Sequence, residues 1–155
     1  MPSLAVVRHA KSDWTHDLPD DQRPLNPRGR RDAPRIGAWL AESFGSIDMI
    51  VCSTAVRARE TLALAALPSA AVRYDERVYA ATYQELMSVL DELPPEVSNA
   101  VLVGHNPGLS DLVRMLTSEP VELKTSAIAV LTWQDGWPEV WSRRASLVSH
   151  ATPRG

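Results

Sequence analysis

A three-layer α/β/α domain with a mostly parallel, mixed central sheet is the fold class that the sequence predicts, on three observations. Short apolar runs of strand length alternate with longer segments whose apolar residues recur every three or four positions. Proline, glycine, asparagine or serine punctuates most of the junctions between them. Two strand-like runs follow one another near the C-terminal end with no helix between, so the sheet is not purely parallel. The 155 residues, 45% of them hydrophobic, suffice for one such domain over 1–155 and are too few for two.

Leu4 to Val7 is the first strand, favoured by two β-branched valines and ended as Arg8 and His9 arrive. Lys11 to Arg28 is rich in aspartate and proline, has little periodicity, and reads as an irregular surface loop. Asn26 and Pro27 have the character of an N-cap and a first helical residue. Ala33, Ile36, Leu40 and Phe44 then mark one face of a helix that ends near Gly45, with Arg28, Arg31 and Arg35 on its wet side. A second strand over Ile47 to Cys52 leads to Ser53 and Thr54, caps for a helix from Ala55 to about Leu67 that Pro68 stops. An extended piece around Val72 passes through Asp75 and Glu76 to a helix with Tyr83, Leu86, Met87 and Leu90 on its apolar side, closed by Pro94 and Pro95. Ala100 to Val103 is the next strand, Gly104 to Gly108 turn the chain, and Leu109, Leu112, Val113 and Leu116 resume a helical stripe. Ala127 to Trp133 and Val140 to Arg144 form the closing strand pair around the turn-forming Asp135-Gly136, and residues beyond Val148 are expected to fray.

Charge narrows the function classes. With 16 Lys+Arg against 19 Asp+Glu the formal net charge is -3, so no global basic field gathers nucleic acid or an anionic membrane. MPSLAVVRHA lacks the layout of an export signal, and no apolar run approaches the roughly 20 residues that span a bilayer. A cytoplasmic location is the expectation. The single cysteine, Cys52, has no partner for an intrachain disulfide and sits in the apolar run IDMIVC, as a buried hydrophobe does.

In a sheet of this kind the ligand site lies beyond the carboxyl ends of the strands, and three strand ends deliver Arg8-His9, Ser53 with Arg57, and Gly104-His105. One histidine at such a rim is ordinarily structural. Two histidines with two arginines have a shared chemical purpose: guanidinium groups hold phosphoryl oxygens through charged hydrogen bonds, while an imidazole nitrogen can attack phosphorus.

The segments VVRHAKSDW, CSTAVRARET, DERVYAA, VLVGHNPG and LKTSAIAVL, in order from Val6 to about Leu131, resemble the histidine phosphatase superfamily, and within it the small SixA-like phosphohistidine phosphatases. The resemblance implies a phosphoglycerate mutase-like fold and a metal-independent enzyme without an organic cofactor. It implies that His9 is the phosphoryl acceptor, passing through a covalent phosphohistidine, with Arg8, Arg57 and His105 as the phosphate cradle. Glu76, within DERVYAA, matches the position that supplies a general acid in phosphomonoester-cleaving relatives. The implied substrate is a phosphorylated protein carrying phosphohistidine, the alternative a small metabolite or sugar phosphomonoester, and the product inorganic phosphate. This chain has Ala10 where the family often has glycine after Arg-His, so a glycine-only turn is not expected there. His9 must be unprotonated to attack, whereas His105 helps most when cationic; neighbouring arginines favour the first and oppose the second until phosphate arrives.

The remaining polar residues have two readings each. Lys11 and Ser12 either touch phosphate or face water; Ser53 and Asn106 either serve the pocket or cap helices; Thr125 and Ser126 either border the site or stabilise a strand entrance. Trp14 and Tyr79 are candidates for the substrate mouth, while Trp133, Trp137 and Trp141 belong to packing. Two rival functions remain. His16, Asp17, Asp20 and Asp21 suggest a metal hydrolase, although they lack a sharp ligand spacing and Pro19 interrupts them. A noncatalytic phosphate or phosphopeptide binding module would use the same cationic pocket without turnover.

Overall fold

The computed structural model describes residues 1–138 and 144–154. The elements are β1 (Ser3–Arg8), α1 (Pro27–Ser43), β2 (Ile47–Cys52), α2 (Val56–Ala65), β3 (Ser69–Tyr74), α3 (Tyr83–Leu90), β4 (Asn99–Gly104), α4 (Gly108–Thr117), β5 (Ile128–Thr132) and β6 (Ser146–Ala151), with one-turn 3-10 segments at Asp20–Gln22 and Glu76–Val78. The strands form one sheet in the order β3-β2-β4-β1-β5-β6. Neighbours from β3 to β1 run parallel, and β5 and β6 run antiparallel, which is the mixed, mostly parallel sheet expected.

Strand alternation sorts the core into two layers. Leu4, Val6, Leu102 and Ala129 pack with Leu86, Leu90, Leu109 and Leu112 of α3 and α4. Ala5, Val7, Ile50, Val101 and Val103 pack on the opposite face with Ile36 and Leu40 of α1 and Ala58 and Leu62 of α2. The sheet is therefore covered on both sides, and each fully buried leucine in these layers stabilises the fold by about 2 kcal/mol through removal of apolar surface from water. Helix starts follow local chemistry. Asn26 accepts from Gly29 N–H at 2.8 Å ahead of Pro27, and Thr82 with Glu85 forms a reciprocal capping box for α3.

Three expectations change. β3 is a full edge strand rather than a short extended piece, paired with β2 from Ile47–Ser69 to Cys52–Tyr74; its exposed Val72 and Tyr74 gave little apolar signal. Ser149 to Ala151 do not fray, because β6 is hydrogen-bonded along β5 as far as the Ile128–Ala151 pair. Helix α2 takes no side-chain cap: Ala55 is its N-cap residue, and Ser53 is used elsewhere. The expected strand at 140–144 falls, apart from Arg144, outside the described residues, as does Trp141. Trp133 is buried and packs on Trp137 with ring centroids 5.4 Å apart, in keeping with a packing role.

Candidate active site

Register brings the chemistry together. Cys52 of β2 lies beside Val103 of β4, and Val103 beside Val7 of β1, so Ser53, His105 and His9 leave three adjacent strands at the same edge. The backbone of His9 is tied on both sides: its N–H donates to Gly104 O (3.2 Å) and its carbonyl accepts from Ser126 N–H (3.1 Å). Ser126 adopts a left-handed φ of 69° to make that contact. Ala10 N–H donates to Thr61 Oγ1 at 3.0 Å, and Thr61 in turn donates to the carbonyl of Arg57, so α2 is tied to the segment after β1 that carries His9. Ala10 does not enter the left-handed region, as its side chain requires.

The His9 ring is buried, and its Nδ1–H donates to the Ala10 carbonyl at 2.7 Å, which leaves the lone pair on Nε2. Burial pushes its pKa down to about 3 against an opposing pull from the Ala10 carbonyl, and the nearby Arg57 and Arg8 charges add to the fall. The imidazole is therefore neutral at working pH. Arg57 Nε–H faces that lone pair at 3.4 Å.

His105 stands 5.1 Å from His9, centroid to centroid. Its Nε2 meets Ser53 Oγ at 2.7 Å, and the same oxygen accepts Ala55 N–H at 3.1 Å. Ser53 is fully buried and its O–H has no other acceptor among the described residues, so it donates to Nε2, which leaves the proton of the neutral ring on Nδ1, a buried atom without a partner. Burial, then Arg57, pushes the His105 pKa down to about 4. The site thus does not require a cationic His105: the neutral ring already offers an N–H. Arg8 donates from Nη1 to Leu123 O at 3.0 Å while its buried Nε has no partner. Two donors without partners, Arg8 Nε and His105 Nδ1, thus accompany the neutral His9 imidazole and the Arg57 guanidinium. Unpaired buried donors are adverse unless an acceptor arrives, and an oxyanion supplies several acceptors at once.

Sequence reasoning placed Tyr79 at the mouth of this cup but missed Asp20 and Arg23 there. Asp20 accepts from Arg57 Nη2 (3.0 Å), Tyr79 Oη (2.6 Å) and Arg23 Nε (3.1 Å), and its backbone carbonyl accepts from Arg57 Nη1 (2.6 Å). Buried Arg23 also donates to Ser12 Oγ at 2.7 Å and stacks on Trp14, its guanidinium carbon 3.5 Å from the ring centre. Ser12 therefore serves Arg23, Lys11 is exposed, and Trp14 is largely exposed, its one ring contact being Arg23 among the described residues. Tyr79 does reach the mouth, edge-on to His105 at 5.5 Å. Asn106 binds Leu123 O and the Ser110 hydroxyl and amide, which anchors the loop that Arg8 also holds. Glu76 is exposed, and its carboxylate has no hydrogen bond or ion pair among the described residues. A recess of about 390 Å³ opens beside His105, between Ala80–Gln84 and Asn106–Gly108.

The acidic loop does not converge on a metal. Among the described residues no group of three or more His, Cys, Asp or Glu is placed to hold one; Asp13 pairs with His16, and Asp20 with arginines. Cys52 is buried, with its thiol pushed up to about 12 by desolvation, as a packing residue rather than a nucleophile. No helix among the described residues is long and apolar enough to cross a membrane.

Two imidazoles and two guanidiniums gathered at the carboxyl edge of a mostly parallel sheet define a protein built to hold an oxyanion against a nitrogen lone pair. The family model of the histidine phosphatase superfamily (branch 1) matches residues 4–86, and the chain belongs to that superfamily, in its SixA-like group. It is 37% identical to the Mycobacterium tuberculosis protein Rv1276c over 159 residues, covering 96% of this chain and 100% of that one. Among solved structures it resembles the SixA protein of Nakamurella multipartitia (TM-score 0.88, 27% identity, 98% of this chain and 96% of that chain). It is also similar to the Agrobacterium tumefaciens SixA protein (TM-score 0.83, 27% identity, 98% of each chain). Membership makes it a hydrolase of phosphorylated substrates that releases phosphate.

Proposed function

We propose that this chain is a metal-independent phosphohistidine phosphatase that removes phosphoryl groups from protein histidine through a covalent intermediate on His9. The observation that carries the reading is the pairing of a lone pair fixed on His9 Nε2 with the unpaired donors Arg8 Nε and His105 Nδ1. In the first step His9 Nε2 forms a bond to phosphorus while the bond to the leaving nitrogen breaks, its electron pair returning to that nitrogen. Arg8, Arg57 and His105 hold the three remaining oxygens, where negative charge concentrates in the transition state. Water then attacks from the side the leaving group vacated, one of its protons passing to a phosphoryl oxygen; the bond from phosphorus to His9 breaks with its electron pair returning to Nε2, and inorganic phosphate departs.

The choice of phosphohistidine is supported by the SixA relatives, described as candidate phosphohistidine phosphatases. Little chain is available to roof the site between β3 and β4 beyond a 3-10 turn and the eight-residue α3, so a phosphorylated side chain on another protein has access. The recess beside His105 favours a second reading, hydrolysis of a small phosphomonoester. In that reaction Glu76 is the proton donor we assign to the departing alkoxide, whereas a protonated imidazole leaves without one.

The test is a rapid quench of wild type and His9→Ala with a phosphohistidine protein and a panel of phosphomonoesters, following phosphate release and acid-labile phosphate on the enzyme. Wild type should show both signals and His9→Ala neither, with kcat/KM highest for the protein substrate. Turnover by His9→Ala rejects the mechanism. Phosphate binding without release by wild type would make the chain a binding module.

A further inference from the structure

Asp20 is not needed by the reaction as written, yet it occupies the point where the two catalytic arms meet. Its Oδ2 takes hydrogen bonds from Arg57 and Tyr79; Arg57 reaches His9, and the Tyr79 ring abuts His105. A carboxylate there works against binding a phosphate dianion, since like charges repel across a desolvated site. A leaving group that brings a positive charge reverses this effect; an alcohol or a carboxylate-bearing metabolite does not.

The carboxylate has the capacity to meet such a group. Of its roughly four acceptor positions, three are filled, two on Oδ2 and one on Oδ1, and the side chain is 49% exposed whereas Arg57 and Arg23 are buried. The phosphohistidine ring, protonated on the nitrogen distal to phosphorus, presents an N–H⁺ of the kind that pairs with this oxygen.

We infer that Asp20 is a specificity-determining residue, its carboxylate accepting the distal N–H⁺ of the phosphorylated imidazole and so selecting phosphoramidate over phosphoester substrates. This rests on the phosphohistidine reading above. The step needs no proton transfer: the substrate ring enters as a cation, the P–N bond breaks as His9 forms its own, the electron pair stays on the departing nitrogen, and the ring leaves neutral with its distal N–H intact. Asp20 keeps the ring protonated until that moment. Tyr79, and then Arg57 and Arg23, hold the Asp20 carboxyl far below the usual carboxylate range, so it stays ionised throughout and is not itself the acid. The other charged and titratable groups facing this corner are Asp21, which acts on Tyr79, and His105, whose pKa Asp20 raises.

The experiment compares wild type, Asp20→Asn and Asp20→Glu on a phosphohistidine peptide and on p-nitrophenyl phosphate from pH 5.5 to 8, with thermal unfolding of each variant. Free imidazole titrates near 6.5. At pH 8, where the substrate ring is neutral in solution, Asp20→Asn should lose at least about tenfold more kcat/KM on phosphohistidine than on the ester. The excess loss should shrink towards pH 5.5, where solvent already protonates the ring, and Asp20→Glu should restore much of the discrimination. A loss equal on both substrates, or the same at every pH, overturns the inference and reduces Asp20 to a prop for Arg57. A wild type that cleaves the ester but not phosphohistidine overturns the phosphohistidine reading itself, and this inference with it.

Discussion

Ser53→Ala isolates the tautomer of His105 from its presence. Ser53 is fully buried, and its hydroxyl oxygen makes two contacts, donating to His105 Nε2 at 2.7 Å and accepting from Ala55 N–H at 3.1 Å. No solvent reaches the vacated position, so both partners lose a hydrogen bond worth about 0.5–1.5 kcal/mol, for a stability loss of roughly 1–3 kcal/mol. The effect on activity has a different origin. Without the serine proton, His105 can place its hydrogen on Nε2, which turns a lone pair rather than an N–H towards the phosphoryl oxygens. Loss of one hydrogen bond to a charged phosphoryl oxygen in the transition state corresponds to about 1.5–3 kcal/mol, or roughly ten- to a hundredfold in kcat/KM. The assay is hydrolysis of p-nitrophenyl phosphate at pH 7, accompanied by nitrogen NMR of the histidine rings. A variant within twofold of wild type, with His105 still protonated on Nδ1, would refute the role given to Ser53.

Other outcomes follow from the same contacts. His9 and His105 are neutral in the fold, at about 3 and about 4, while the unfolded chain protonates them near 6.5; their contribution to stability is intact above that pH and lost as pH falls, by about 1.4 kcal/mol per pH unit for each. Urea unfolding at pH 7, 6 and 5 should show this decline, and His9→Gln should roughly halve its slope; a flat profile in wild type contradicts it. Gly108→Ala would put a Cβ 2.2 Å from the Ala81 carbonyl, backbone against backbone, and should destabilise by about 1–3 kcal/mol, a fall of several degrees in Tm. Phosphatase activity should persist in EDTA, and a loss restored by added metal would reinstate the His16–Asp21 loop as a metal site.

What the sequence disclosed and what it withheld divide along physical lines. β1, β2 and β4 announce themselves because strands buried on both faces are continuous apolar runs, and the polar residues that end them, His9, Ser53 and His105, stand out by contrast. β3, an edge strand, carries exposed Val72 and Tyr74 and little alternation, so only its middle was visible. Asp20, Arg23 and Tyr79 were harder for a different reason. Their bonds join an aperiodic loop to α2 and to the 3-10 turn before α3, and such pairings leave no periodic trace. Ser53 was noticed but left between the pocket and a helix cap, since short-range geometry suggests Ala55 and only the strand order reveals His105.

The order β2-β4-β1 also sets when the chemistry can exist. His9, the proposed nucleophile, is synthesised some fifty residues ahead of the guanidinium that faces it and well over a hundred ahead of Ser126, whose amide pins its carbonyl. A half-made chain on the ribosome therefore carries an ordinary, solvated imidazole, and reactivity switches on once the last of the neighbouring strands has docked.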